Sequence, residues 1–88
     1  MGFEFDERKS RANLAKHGID FVQAQSLWDD DNLVGFEVNT ASELRHILIG
    51  RLGGKYYTAV ITYRGENVRI ISVRRSRKKE EDFYENNS

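Results

Sequence analysis

Three strand-like runs follow one another in the second half of this 88-residue chain, separated only by tight-turn signals. Each run is rich in β-branched and aromatic residues, and together they occupy residues 43–52, 56–63 and 67–75. The connections, residues 53–54 and 64–66, contain the glycines that tight hairpins favour. The pattern therefore predicts a meander of antiparallel strands, with a fourth candidate strand at residues 33–38.

Two helices are predicted ahead of the meander. Asp6 can cap a helix over residues 7–17, and Gly18 can end it in the left-handed conformation. Asp20, followed three residues later by Gln23, resembles a capping box for a second helix that the acidic run at residues 29–32 ends. The apolar stripe of this second helix consists of Phe21, Ala24, Leu27 and Trp28.

A third helix is predicted after residue 75, with Ser76 as its cap and carboxylates near its N-terminal half. The expected fold class is α+β. In this fold, two N-terminal helices and one C-terminal helix pack on a three- or four-stranded, mainly antiparallel sheet. A chain of this length has enough apolar residues for one core, so residues 1–88 are expected to form a single domain.

Composition narrows the class of protein. The chain has no Cys, no signal-like start and no apolar run of membrane-spanning length, so we expect a cytoplasmic protein without a membrane association. Lys and Arg total 14, as do Asp and Glu, which argues against a general polyanion coat. Six of the cations nevertheless lie within residues 69–79, so a local anion site is expected there.

Strict alternation along the last strand sorts its cations between two faces. Arg69 and Arg75 are expected on one face and Arg74 on the other, so the adjacent arginines should diverge. In the helix that follows, Glu80 and Tyr84 are four residues apart and should share a face. In the first helix a second, cationic face is expected to contain Lys9, Asn13, Lys16 and His17.

These residues resemble the BrnT toxins of bacterial type II toxin-antitoxin modules. The resemblance spans nearly the whole chain, and its most specific pieces are Lys16-His17-Gly18 and Arg69-Ile70-Ile71-Ser72. Its other parts are Phe5-Asp6-Glu7, Lys9, Asn13, Ile19, Phe21, Ala24, Glu43, Arg45, Ile49-Gly50, Tyr63, Val73-Arg74-Arg75, Glu80 and Tyr84. Glu81 and Asp82 depart from commonly basic positions, which weakens the local positive field.

The resemblance implies a metal-independent RNA endonuclease of RelE-like fold that inhibits translation and growth without a cofactor. It also implies neutralisation by a BrnA-like antitoxin with a ribbon-helix-helix part, through which alone the complex would contact operator DNA. The expected assembly is a heterotetramer that contains a toxin dimer.

Such cleavage needs groups that deprotonate the ribose 2′-OH, stabilise the phosphorane and protonate the 5′-oxygen. Histidine suits proton transfer near neutral pH, and arginine offers a planar fork to two phosphate oxygens. The candidate catalytic residues are His17, Arg74, Arg75, Glu80 and Tyr84. The candidate RNA-binding residues are Lys9, Asn13, Lys16, Arg69, Arg77, Lys78 and Lys79. No metal site is expected, because the chain has two His and no Cys.

Two other interpretations remain open from the sequence. The same cations could form a noncatalytic module that binds RNA or an acidic protein. The chain could also be a structural domain whose cationic tail is merely solvated. His17 could serve only the carbonyls at its helix end, and Glu43 with Arg45 favours a structural ion pair over catalysis.

Overall fold

The computed structural model describes residues 1–87, in which five strands form one sheet. The last position of the predicted 1–88 domain, Ser88, lies outside the described residues. No helix in the described part is long and apolar enough to cross a membrane. The elements are β1 (Phe3–Glu4), α1 (Glu7–His17), α2 (Phe21–Ala24), a 3₁₀ helix (Gln25–Asp29), β2 (Val34–Asn39), β3 (Leu44–Leu52), β4 (Lys55–Arg64), β5 (Asn67–Arg75) and α3 (Lys78–Asn87).

The sheet is mixed and has the strand order β1-β5-β4-β3-β2. Strands β2 to β5 form the antiparallel meander, whereas β1 pairs parallel to β5 through Phe3 opposite Val68. The prediction of three or four mainly antiparallel strands is therefore wrong. A two-residue strand has no detectable alternation and its partner is distant along the chain, so local patterning could not reveal it.

Local signals set the limits of α1, and its predicted bounds are confirmed. The Asp6 carboxylate accepts hydrogen bonds from the N–H groups of Arg8 and Lys9 at 2.8 and 3.2 Å. These bonds satisfy two donors that the start of a helix leaves unpaired. At the other end, Gly18 takes a left-handed φ of 75° and donates its N–H to the Leu14 carbonyl.

The second predicted helix begins as expected but is shorter. Asp20 and Gln23 form a capping box with reciprocal bonds of 2.7 and 2.9 Å. The α-helical part then lasts one turn and continues as the 3₁₀ helix. The expectation of two N-terminal helices is thus corrected to α1 and a single α-helical turn that continues as the 3₁₀ helix. Asp30 fixes the chain just beyond, because its carboxylate accepts the Arg51 N–H at 2.8 Å.

The two faces of the sheet carry different helices. The first helices cover one face, called the α1 face below, and α3 lies on the opposite α3 face. On the α3 face, Phe83 meets Phe36 edge-on and Tyr84 meets Tyr56 in the same way, each with 5.5 Å between ring centroids. The main core lies under the first helices and consists of Ile19, Phe21, Ala24, Leu27, Tyr57, Ala59, Ile61, Val68, Ile70 and Val73.

A β-bulge in β5 changes which of its side chains share a face. Ser72 lies opposite Val60 whereas Ile70 lies opposite Ile61, so Ile71 is an extra residue without an opposite partner. Side chains before and after the bulge therefore change sides relative to strict alternation.

The bulge corrects the predicted distribution of the arginines. Arg69 and Arg74 share the α3 face, opposite two threonines of β4, whereas Arg75 lies opposite Tyr57 on the α1 face. The prediction that Arg69 shares a face with Arg75 is wrong. The predicted divergence of Arg74 and Arg75 is confirmed, because these residues are adjacent and follow the bulge.

Candidate functional site

A two-point ion pair ties the end of β5 to α3. Arg74 Nη1 and Nη2 donate to Glu80 Oε1 and Oε2 at 2.8 and 2.7 Å. The side chains are only 30% and 19% exposed, so the pair is partly removed from water. Arg74 Nη1 also donates to the Arg75 carbonyl at 3.2 Å. Of the two guanidinium groups considered for phosphate, that of Arg74 is thus already occupied by a carboxylate, which it binds in the same forked geometry.

The Glu80 carboxylate is held in its ionised form. Its hydrogen bonds from Arg74 are the main reason that the pKa of Glu80 falls to about 2, although partial burial opposes the fall. The Arg77 N–H, which donates at 2.7 Å, and the Thr58 hydroxyl lower the pKa further. Since a good general base has a pKa near the working pH, this environment suits Glu80 to positioning better than to proton transfer.

Ser76 continues the pairing of β5 with β4 instead of capping α3. Its N–H donates to the Tyr56 carbonyl at 3.0 Å, and its hydroxyl lies 2.8 Å from the Thr58 hydroxyl. The predicted cap is therefore wrong. The helix begins at Lys78, and the first-turn N–H group of Glu80 bonds to the Arg77 carbonyl at 3.0 Å.

Arg75 presents its guanidinium on the α1 side of the same strand end. The residue is exposed, and its guanidinium carbon lies 5.8 Å from the centroid of the Tyr57 ring. Within residues 1–87, the Arg75 side chain forms no ion pair or hydrogen bond. The ring supports the cation through its face, and the N–H donors remain open to an incoming anion.

Asn13, predicted to contact RNA, is instead buried between α1 and β5. Its Nδ2 donates to the Val73 and Ile19 carbonyls at 2.8 and 2.7 Å, and its Oδ1 accepts the Val73 N–H at 3.3 Å. Because β1 ends at Glu4, the edge of β5 beside Val73 has no neighbouring strand. The Asn13 amide bonds to this edge as a strand would, which fixes α1 against the sheet.

Helix α1 leads His17 toward the end of β5. Lys9 lies near the start of that strand and Asn13 bonds to Val73, so helix and strand advance in the same direction. One more helical turn advances about 6 Å. Two strand residues advance about 7 Å, which brings His17 toward the level of Arg75. His17 is half-buried and forms no hydrogen bond or ion pair within the described residues.

Tyr84 follows Glu80 by one helical turn and, as predicted, also faces the sheet, but it has different contacts. Its hydroxyl donates to Asp30 Oδ2 at 2.9 Å, and the same oxygen accepts the Arg51 N–H. Burial, and then the bond to Asp30, raises the pKa of Tyr84. Of the five predicted catalytic side chains in residues 1–87, the only two that bond to each other are Arg74 and Glu80.

The other predicted RNA-binding cations lie at three places on the surface. Lys16 is exposed at the end of α1, and Arg77 and Lys79 are exposed at the start of α3. Lys78, also exposed, pairs with Asp82 at 2.9 Å. Arg69 lies on the α3 face, and Lys9 is exposed close to it. The terminal cations therefore do not form one patch.

Sequence interpretation missed several neighbours of the predicted residues. Tyr57 lies beneath Arg75, and Arg45 and Arg64 line a cleft together with Lys9 and Arg69. Arg45 was interpreted only as an ion-pair partner of Glu43, and that pair is present at 3.8 Å. Hairpin register could have suggested cross-strand neighbours, but the bulge displaces them by one residue.

The end of β5 and the start of α3, residues 74–80, are called the junction below. Together with the end of α1, the junction contains groups suited to anion binding and proton transfer. Arg75 can bind a phosphate by its fork, and His17 supplies an imidazole, the side chain that most often serves as a general acid or base. No three His, Cys, Asp or Glu side chains among residues 1–87 are grouped so that they could hold a metal ion.

Comparison with known proteins identifies a family. A family model described as the ribonuclease toxin BrnT of a type II toxin-antitoxin system matches residues 5–80, most of the chain. The matched region includes every predicted catalytic residue except Tyr84. No curated protein matches the chain. The family resemblance noted from the residues is thereby confirmed.

Proposed function

The chain belongs to the BrnT family of type II toxin-antitoxin ribonuclease toxins, and from this premise we propose that it is a metal-independent RNA endonuclease. The ribose 2′-OH attacks the adjacent phosphodiester, and the 5′-oxygen leaves. This reaction requires charge stabilisation at the phosphate and proton transfer at two oxygens, and both can be supplied by side chains.

Arg75 is the proposed phosphate ligand. The observation that carries this assignment is its exposed guanidinium, supported by the Tyr57 ring and without a carboxylate partner in residues 1–87. Two of its N–H groups can bind the non-bridging oxygens and stabilise the charge that develops on them. Loss of one such stabiliser typically slows a reaction by about 100 to 1000 fold.

Arg74 and Glu80 are proposed to position the junction. Their forked ion pair joins the end of β5 to the first turn of α3, while Glu80 also accepts the Arg77 N–H. This fixes the backbone from which Arg75 projects. It also directs the start of α3, where Lys78 and Lys79 can reach RNA phosphates beyond the cleavage point.

His17 is the proposed proton-transfer group: its imidazole takes the proton of the 2′-OH, and the imidazolium so formed gives that proton to the 5′-oxygen as it leaves. It follows the turn of α1 that Asn13 anchors to β5, and it has no competing hydrogen bond within the described residues. Lys16 beside it adds an exposed cation. Tyr84 is left outside the proposed centre, because its hydroxyl is engaged with Asp30.

The proposal includes a protein partner. Toxins of type II systems are held by an antitoxin, and we propose a BrnA-like ribbon-helix-helix protein in a cytoplasmic complex, with a toxin dimer inside a heterotetramer. Operator DNA would be contacted through the antitoxin. Copurification from cells that express the neighbouring reading frame tests this part, and recovery of the chain alone at full expression would contradict it.

A noncatalytic RNA-binding module is the second candidate. It is favoured by one observation: Glu80 and Tyr84, two of three predicted acid-base groups, are committed to Arg74 and Asp30. That leaves His17 as the one predicted proton-transfer group without a bond to another described side chain. Binding that weakens with salt but never leads to cleavage would support this candidate.

The experiment uses the purified protein freed of its antitoxin. Labelled single-stranded RNA and DNA of the same sequence are incubated with it in EDTA. We expect the RNA to be cut to products ending in a 2′,3′-cyclic phosphate and the DNA to remain intact. His17→Ala should lower the cleavage rate by about 100 fold. The exposed Arg8→Ala serves as the control. Cleavage that requires added metal, or no cleavage of RNA, would contradict the proposal.

A further inference from the structure

A second basic site lies on the α3 face, at the opposite end of β5 from the Arg74–Glu80 pair. It is a cleft of about 200 Å³, lined by Lys9, Glu43, Arg45, Thr62, Arg64, Arg69 and Ile71. Arg69 lies opposite Thr62 on neighbouring strands, and Arg45 lies opposite Val38 on β2. Four cations from α1, β3, β4 and β5 thus converge on one depression.

The cations of this cleft are poorly neutralised. Arg45 lies 3.8 Å from Glu43 and Arg69 lies 3.5 Å from Glu4, both longer than the 2.7 Å contact of the Arg74–Glu80 pair. Charge-assisted hydrogen bonds normally measure about 2.7 to 2.9 Å. Arg45 Nε is buried and has no hydrogen-bond partner. Lys9 and Arg64 form no ion pair within residues 1–87. Four cations therefore meet only two carboxylates.

The cleft lies on the same face of β5 as Arg74, which lies beside Arg75 at the end of that strand. The bulge at Ile71 places Arg69, Ser72 and Arg74 on the same face, so β5 presents a polar row from the cleft to its end. Because Ile71 is an extra residue, Arg69 and Arg74 lie opposite Thr62 and Thr58, four residues apart on β4, which corresponds to about 13 Å along a strand. A single phosphate cannot span this distance, but an extended polynucleotide that bends around the strand end to Arg75 can.

We propose that the cluster of Lys9, Arg45, Arg64 and Arg69 is a second phosphate-binding subsite, which holds the RNA backbone several nucleotides from the scissile bond. This rests on the proposed ribonuclease function. The subsite adds affinity for longer RNA and leaves the chemical step unchanged. An acidic protein segment is the other class of ligand that four cations could attract, and the experiment separates the two.

The experiment compares two double variants with the same change in charge. Arg45→Gln/Arg64→Gln removes two cations from the cleft, and Arg8→Gln/Arg11→Gln removes two exposed cations of α1 outside it. The probes are fluorescent 2′-O-methyl oligoribonucleotides of about 4 and about 12 nucleotides, which fit one or both subsites and cannot be cleaved. Binding is measured by anisotropy at several salt concentrations, and each melting temperature confirms folding.

We expect the cleft variant to bind the longer probe about tenfold more weakly, with a salt slope lower by about 1.4, which corresponds to two lost phosphate contacts. The shorter probe should bind as it does to the wild type. With a cleavable long RNA, KM should rise about tenfold while kcat stays unchanged.

Three results would overturn the subsite. In the first, the cleft variant binds the long probe as tightly as Arg8→Gln/Arg11→Gln does. In the second, its affinity falls equally for the short and the long probe. In the third, it keeps both probes but no longer retains its copurified antitoxin, which would make the cleft a protein-docking site. If the wild type binds the long probe and the cleft variant does not, yet the wild type never cleaves RNA, the subsite stands and the ribonuclease proposal fails.

Discussion

Two neighbouring arginines at the end of β5 occupy opposite environments. On the α3 face, Arg74 is enclosed by two hydrogen bonds to Glu80 and by the first turn of α3. On the α1 face, Arg75 is exposed above Tyr57 and meets no carboxylate within residues 1–87. The two residues are identical in chemistry and adjacent in sequence, so the faces of the sheet alone separate their tasks.

The difference shows that a cation count does not measure the charge available to a ligand. A partly buried guanidinium must be paired, because desolvating it without a partner would be costly. An exposed guanidinium on an aromatic ring keeps both its hydration and its donors. We therefore propose that Arg74 stabilises the junction and that Arg75 binds the substrate.

The largest effect that tests this difference between the two arginines is expected from Arg75→Ala, on the rate of RNA cleavage. Cleavage should slow by about 100 to 1000 fold, because a charge stabiliser of the phosphorane is lost. The free energy of unfolding should change by less than about 0.5 kcal/mol, since the side chain is exposed. Single-turnover cleavage and urea unfolding measure the two quantities.

Arg8→Ala is the matched control for this variant, because it removes an exposed arginine from α1. It should leave both quantities unchanged. A loss of stability in Arg75→Ala that accounts for the loss of cleavage would show that the two arginines share a structural role.

Breaking the ion pair is expected to have the next largest effect, on stability. Arg74→Ala should lower the free energy of unfolding by about 2 kcal/mol, because Glu80 is left partly buried and unpaired. For a domain of this size, that corresponds to a melting temperature lower by about 10 °C. A double-mutant cycle with Glu80→Ala, measured by urea unfolding, should give a coupling of about 1 to 2 kcal/mol.

Lys78→Ala is the control for the ion pair. Lys78 pairs with Asp82 at a similar 2.9 Å, but its side chain is 82% exposed, so its loss should cost less than about 0.5 kcal/mol. If Arg74→Ala and Lys78→Ala lower the free energy of unfolding equally, or if the effects in the cycle are strictly additive, Arg74 contributes no more to stability than a solvated surface cation.

Lowering the pH should have a smaller effect on stability, and this effect should arise from the Arg74–Glu80 pair. The pKa of Glu80 is lowered from 4.5 to about 2, so its contribution to stability is present above pH 4.5 and is lost as the pH falls through 2. The wild type should lose about 1 to 2 kcal/mol more than Glu80→Gln over this range, after allowance for solvent screening. Urea unfolding at a series of pH values measures the difference. Parallel pH profiles would mean that the ion pair does not perturb the carboxyl group.

Local signals predicted the parts of the fold that depend on neighbouring residues. Asp6 and Gly18 set the limits of α1, and Asp20 with Gln23 started α2. The antiparallel order of the strands also followed from the glycine turns between them. At one such turn, Arg64 of β4 lies opposite Asn67 of β5. These features were predictable because their determinants lie within a few residues of each other.

The remaining features depend on distant contacts. The parallel pairing of β1 joins Phe3 to Val68, which no local pattern encodes. Continued without a bulge, the register of the hairpin would place Tyr57 opposite Arg74, whereas the extra residue Ile71 places it opposite Arg75. One extra strand residue thus decided which arginine rests on an aromatic ring.

The sequence supplied candidate site residues but could not show their arrangement. Arg75 and the cations of α3 are exposed, and His17 is half-buried. Asn13 was predicted on the same face of α1 as His17. In the structure its amide is buried, because it bonds to the open edge of β5 at Val73. Sequence spacing cannot show which polar side chain a backbone edge will recruit.

The most direct test of the account is a sulfur substitution at the scissile phosphate. An oligonucleotide with a single 2′-OH at the mapped cleavage position is prepared with either a phosphate or a phosphorothioate there. Single-turnover cleavage by the wild type and by Arg75→Ala is then compared in EDTA. If Arg75 binds the non-bridging oxygens, sulfur should slow the wild type about tenfold or more and should slow the variant far less. The same slowing in both proteins would contradict the assignment of Arg75 to the substrate phosphate.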